Sequence, residues 1–186
     1  MKKLNLGCGN RIIPGCINVD KESYYNPDVV WDLEVTLWPF ETSSIDEIYM
    51  SHVLEHLGAD TRVFLNIMKE LYRILKNNGK IFISVPHPRS DDFLNDPTHV
   101  RPVTPTMMSL FSKKANREAL DHNGANTPLA LYLDVDLEIE AVSFTMDPAW
   151  KVKYDAGIFS DADMEEAVRA YNNVVSEIQM RIRAVK

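Results

Sequence analysis

The loop Gly7-Cys8-Gly9-Asn10 stands directly after the apolar run Leu4 to Leu6, and an acid, Asp20, ends the next apolar run, Ile17 to Val19. Glycine lets backbone N–H groups approach a ligand closely, and open α/β sheets bind ligands at the carboxyl ends of their strands. A glycine pair alone is also how an ordinary turn is made, so the loop by itself leaves ligand site and turn evenly balanced. Asp20 adds a carboxylate able to accept from both hydroxyls of a ribose, and Asp32, after a third run at Val29 to Trp31, can accept from an adenine amino group. One acid at a strand end is usually a cap or a solvated turn. Two in succession behind a glycine loop favour a nucleoside.

The pyrophosphate fingerprint of a nucleotide-dependent oxidoreductase is incomplete. Its third glycine would stand where Ile12 stands, and its ribose acid lies about 20 residues on, whereas Asp20 follows Gly9 by only 11.

His52, His87 and His99 fall in segments expected at the same sheet edge, and an imidazole titrates near neutral pH. Any one of them is more often a surface or hydrogen-bonded histidine than a base. His99 stands out because it sits in Asp96-Pro97-Thr98-His99-Val100-Arg101-Pro102, stiff enough to present polar groups. That these residues merely staple the loop to the body is an equally good reading. Nothing fixes Asp91, Asp92, Asp96 and His99 in a ligating geometry, so no metal centre is expected. Cys8 lacks a basic neighbour and reads as a small buried residue, not a nucleophile. Trp31 and Trp38 read as core or adenine-site walls.

A fourth strand runs through Ile48 to Met50 and ends at Ser51. Asp60 can cap a helix with Val63, Phe64, Ile67, Met68, Leu71, Ile74 and Leu75 at helical spacing, stopped by Asn77-Asn78-Gly79. Lys80 to Val85 is a fifth strand, and strand, helix, strand implies a right-handed parallel crossover. Residues 86–105 hold five of the ten prolines without a period and read as a long functional loop. A helix is expected around Thr106 to Leu120, then an antiparallel pair at Leu137 to Phe144 and Trp150 to Tyr154. Ser160 starts a last helix whose apolar stripe continues through Tyr171, Val175, Ile178 and Ile182.

The 186 residues carry 20 Lys and Arg against 27 Asp and Glu, a net charge of −7 and the wrong sign for neutralising a run of phosphates. Duplex nucleic acid is therefore not an expected partner. Two cysteines make no disulfide framework, and no apolar run is long enough to anchor or export the chain, so a cytoplasmic location off the membrane is expected. The length suits one domain: residues 1–86 for a cofactor, 87–135 for an acceptor, 136–186 for terminal elements.

Leu-Asn-Leu-Gly-Cys-Gly-Asn at 4–10, Asn-Val-Asp at 18–20, Asp32-Leu33, Ser-Ile-Asp-Glu-Ile-Tyr at 44–49, His-Val-Leu-Glu-His at 52–56 and Leu-Lys-Asn-Asn-Gly-Lys at 75–80 together resemble the type 11 group of class I S-adenosylmethionine (SAM)-dependent methyltransferases, especially its short members of unassigned substrate. The resemblance covers residues 3–86. It implies a Rossmann-like α/β fold, a mostly parallel seven-stranded sheet in strand order 3-2-1-4-5-7-6. It places Gly7, Cys8, Gly9 and Asn10 under the methionine part of SAM, Asp20 at the ribose, Asp32 and Leu33 at the adenine, and Ser51 and His52 beside the sulfonium. His99 would face the acceptor, a small molecule or glycan-type compound; a homo-oligomer stays open. One departure is plain: residues 7–16 are too few for the usual first crossover helix. A catalytically silent SAM-binding or scaffold role is the first alternative, the oxidoreductase the second.

Overall fold

The protein is described over residues 1–186 by a computed structural model. Four short parallel strands come first: β1 (Lys3–Leu6), β2 (Ile17–Asp20), β3 (Val29–Val30) and β4 (Ile45–Ser51). Helix α1 (Thr61–Ile74) then crosses to β5 (Leu75–Pro86), parallel to β4. Leu4, Leu6, Val19, Ile48 and Ile81 have no exposure at all and form the middle of the core. The Asp60 side chain caps α1 by accepting the Arg62 N–H, and Phe64, Ile67, Met68, Leu71 and Ile74 bury its inner face.

Short helices follow: α2 (Asp91–Leu94), α3 (Pro105–Ser109), α4 (Lys113–Asp121) and α5 (Leu129–Leu133). Strand β6 (Leu137–Met146), helices α6 (Pro148–Asp155) and α7 (Asp161–Ala170), and strand β7 (Val175–Ala184) complete the chain. The sheet order is β3-β2-β1-β4-β5-β7-β6, with β7 antiparallel to both neighbours, as the resemblance implies. No helix is long and apolar enough to cross a membrane.

Three expectations are corrected. The segment Trp150 to Tyr154 is not a strand: Pro148 opens a helix there, and the Asp147 side chain caps it through the Ala149 N–H. The last helix stops at Ala170, and Val175, Ile178 and Ile182 belong to β7, where Ile182 lies opposite both Ile81 and Ile139. The continuous helix over 106–120 is two, because Ser112 caps a fresh start by accepting the Ala115 N–H. The stretch 86–105 also holds the single turn α2, capped by Ser90.

The link from β1 to β2 contains no helix. Polar bonds hold it instead: Asn5 Nδ2 donates to Asn18 Oδ1 at 2.9 Å and to the Arg11 carbonyl at 2.8 Å, and Asn18 Oδ1 also accepts the Ile13 N–H. Asp28 fastens Asn18 from the other side through its backbone and side-chain N–H groups, which keep the Asp28 carboxyl below the usual range.

Candidate active site

The carboxyl ends of β1 to β4 open on one cleft of about 420 Å³, lined by Gly7, Asp20, Trp31, Asp32, Leu33 and His52. That volume lies in the range of small-molecule sites. Asp20, only 9% exposed, accepts the Gly9 N–H on Oδ2 at 2.8 Å and the Glu22 N–H on Oδ1 at 2.9 Å, so it builds the glycine loop as well as facing the cleft. Gly7 has φ +63°, and a Cβ there would meet Val53 Cγ2 at 2.6 Å; at Gly9, φ +48°, it would meet nothing within 4 Å. Gly7 is therefore demanded by packing, whereas Gly9, whose N–H is taken by Asp20, has free space at its Cβ position and does not line the cleft. Asp32 accepts the Glu34 N–H, and Leu33 is buried at the cleft wall.

Cys8, Asn10 and Ser51 lie beside the cleft and do not line it. Cys8 is buried, its thiol pushed up by burial first and Asp20 second. Asn10 is exposed, and Ser51 Oγ accepts from Arg11 Nη1 at 3.2 Å. Trp38 is core, its indole N–H donating to the Leu33 carbonyl.

His52 follows β4 in the left-handed region, φ +55°, and its N–H donates to the Ser84 carbonyl. Its Nε2 lies 2.9 Å from Glu177 Oε2 and its Nδ1 3.5 Å from Glu55 Oε1. Glu55 foremost, with Glu177, raises its pKa against burial, which lowers it. His99 is not in the cleft wall. Its Nδ1 lies 2.8 Å from the Phe93 carbonyl and its ring stacks on Phe93, behind His56, whose centroid is 4.6 Å away. His56 and Thr98 line the cleft in its place, joined by a 2.9 Å bond, with Lys21, Glu34 and Val53 nearby. No sequence motif assigns His56 a role; its step of three from Val53 on one turn is the available signal. His87 is held by the Ser176 carbonyl through its backbone, and burial and Arg89 lower its pKa.

A wider basin of about 710 Å³, lined by Lys69, Arg73, Lys113 and Lys186 among others, contains none of the residues at the carboxyl ends of the strands. Size alone would select it; the glycine loop and the paired acids select the smaller cleft.

Residues 4–83 match the family described as "Methyltransferase domain". The whole chain has the corresponding fold. A SAM-dependent methyltransferase from Archaeoglobus fulgidus is 21% identical over 98% of this chain and 85% of its own, with a TM-score of 0.61. One from Methanosarcina mazei is 12% identical over 99% and 92%, TM-score 0.57. The [4+2]-cyclase SpnF is 13% identical over 99% and 75%, TM-score 0.54. No curated protein matches the sequence. The cleft offers a nucleoside-type ligand two strand-end carboxylates, Asp20 and Asp32, 12 positions apart in sequence, and an apolar wall at Leu33.

Proposed function

We propose that this chain is a methyltransferase that transfers the methyl group of SAM to a small-molecule or glycan-type acceptor bound over the same cleft. The observation that carries this reading is the pairing of the Gly7 to Gly9 loop with Asp20 at 2.8 Å, at the mouth of a cleft that Asp32 and Leu33 continue. In this reading Gly7 and Gly9 pass under the methionine part, with Cys8, Asn10 and Ser51 supporting them; Asp20 accepts from the ribose and Asp32 from the adenine. SAM, when bound, supplies a methyl group on a sulfonium with a good leaving group. What the chain adds is orientation, holding the acceptor in line with that methyl. His52 is the candidate to meet the acceptor, since it lies in the cleft wall and Glu177 fixes its ring. His99 acts from behind, through His56.

A second reading, a SAM-binding protein without methyl transfer, draws support from the loop after β5. Several of its polar groups are satisfied within the protein: Asp96 accepts from Thr98, Thr98 bonds His56, and His99 bonds the Phe93 carbonyl. A fold neighbour whose own name is that of a cyclase is in keeping with it.

Calorimetric titration with SAM, S-adenosylhomocysteine and NAD tests the shared part of both readings. SAM and S-adenosylhomocysteine should bind one per chain and NAD should not. Tight NAD binding without SAM binding would sink both and restore the oxidoreductase. Release of S-adenosylhomocysteine on addition of candidate acceptors then separates enzyme from silent binder.

A further inference from the structure

Glu55 is completely buried, and neither carboxylate oxygen has a hydrogen-bond partner. Such a group is strongly unfavourable unless a cation or donor completes it. His52 completes it only in part: its Nδ1 stands 3.5 Å from Glu55 Oε1, its Nε2 is engaged by Glu177 at 2.9 Å, and Glu55 Oε2 is left without a partner. Arg101, the nearest guanidinium along the adjoining strap, makes no ion pair with Glu55; it lies on the Phe64 ring and donates to the Gly58 carbonyl. What does gather at Glu55 is two imidazoles. A carboxylate oxygen of Glu55 and one ring nitrogen each of His56 and His99 all lie within 4.8 Å of one another.

We propose that Glu55, His56 and His99 bind a divalent transition metal of the zinc class just behind the wall of the cleft. Two imidazoles with one carboxylate is a donor set suited to zinc or ferrous iron, while magnesium and calcium prefer oxygen alone. Both rings are prepared as ligands. His99 donates from Nδ1 to the Phe93 carbonyl, and His56 Nδ1 pairs with Thr98 Oγ1, whose hydroxyl in turn donates to Asp96 Oδ1 at 2.6 Å. Partners of this kind fix the tautomer and leave the other ring nitrogen with its lone pair free. The two ligand-bearing segments are also joined by backbone bonds: the N–H groups of Val100 and Arg101 both donate to the Glu55 carbonyl, at 2.9 and 3.2 Å. A tetrahedral ion with bonds of about 2.0–2.2 Å holds its ligand atoms roughly 3.4 Å apart, so donors that lie within 4.8 Å of one another close in on the ion as it binds. Three protein ligands leave a fourth position open.

The proposal does not rest on methyl transfer, and its test does not read activity. The metal-stripped full chain is titrated with Zn²⁺ calorimetrically and with Co²⁺ by visible absorption, and its thermal midpoint is measured with Zn²⁺ and with chelator. One equivalent should bind, Co²⁺ should give the intense bands of a tetrahedral N,O site, and Zn²⁺ should raise the midpoint. His56→Ala, His99→Gln and Glu55→Gln should each weaken binding at least tenfold and abolish the rise, whereas His122→Ala, exposed and outside the cluster, should change neither. Circular dichroism in chelator identifies any variant that fails to fold; the wild-type midpoint shift needs no variant. Absence of saturable Zn²⁺ binding by the wild type, or binding that survives both His56→Ala and His99→Gln, overturns the site, as does tighter binding of Mg²⁺ than of Zn²⁺.

Discussion

Oδ2 of Asp20 accepts the Gly9 N–H at 2.8 Å, so the acid that ends β2 holds the loop that ends β1. Its second oxygen takes the Glu22 N–H. Asp20→Ala thus removes a ligand group and a structural tie together. Bonds to a charged acceptor are worth about 1.5–3 kcal/mol each, so SAM affinity should fall at least tenfold. At roughly 2–4 °C per kcal/mol for a chain of this size the thermal midpoint should drop by about 5 °C or more. Asp20→Asn, keeping one acceptor, should recover part of the stability. Calorimetry and thermal melts decide it; an unchanged melt for Asp20→Ala would show that the tie carries no energy.

The two glycines of the loop should behave differently. Gly7→Ala meets the Val53 methyls at 2.6 and 2.7 Å and keeps a left-handed φ, whereas Gly9→Ala meets only the backbone preference. The left-handed conformation costs about 1–2 kcal/mol, and overpacking adds about 1–3 kcal/mol. Gly7→Ala should therefore be the more destabilising in urea, and Val53→Ala should partly rescue it. No rescue in the double variant would mean that Val53 is not the obstacle.

Glu70 is a buried carboxylate that works for stability. Burial pushes its pKa up, but two bonds from Arg73, at 2.7 and 2.8 Å, and the Trp38 N–H at 2.6 Å outweigh that and hold it below 4.5. The folded pKa lies under the unfolded one, so the stabilisation is complete above about pH 4.5 and is lost as pH falls through the folded value. Glu70→Gln should lower unfolding free energy by about 3 kcal/mol at pH 7, because Arg73 loses its charged partner. The gap between variant and wild type, measured by urea titration at stepped pH, should close in acid. A gap constant from pH 7 to pH 3 would contradict the assignment.

The stretch between β5 and α3 reads from sequence as a lid, yet it is fastened at several points. The His87 N–H donates to Ser176, Val100 and Arg101 donate to Glu55, and Arg101 Nη2 reaches the Gly58 carbonyl at 2.6 Å. Hydrogen exchange should find the Val100 and Arg101 amides protected in the ligand-free protein, and Arg101→Ala should release both together. Fast exchange of these amides in the wild type would instead make the stretch a mobile lid.

Much of the parallel half is legible because Leu4, Leu6, Val19, Ile48 and Met50 are buried, and the short segments that carry them stop at the glycine loop, Asp20 and Ser51. The C-terminal half misleads because two periods coexist in it. Val175, Ile178 and Ile182 fit a helical stripe, but Ile178, Met180, Ile182 and Ala184 alternate, all buried, and the alternation is the signal that matters once β5 needs a partner. At Trp150 the β-branched and aromatic residues suggest a strand, while Asp147-Pro148 is a helix start whose cap decides the matter. The site is legible in Gly7, Asp20, Asp32, Leu33 and His52, all in the cleft wall. It is not legible in His56 and His99, since which of two histidines faces a cleft and which backs it depends on a fold of the chain 43 residues long.

The polar fastening of the β1 to β2 link has a thermodynamic side. Asn5 and Asn18, each 4% exposed, take the place that a packed helix would fill with apolar side chains. Opening this link uncovers directional bonds and little hydrocarbon, so it carries a small heat capacity and a shallow dependence on urea, unlike the melting of α1 against the sheet. Hydrogen exchange in this link should therefore respond less to urea and to warming than exchange in α1.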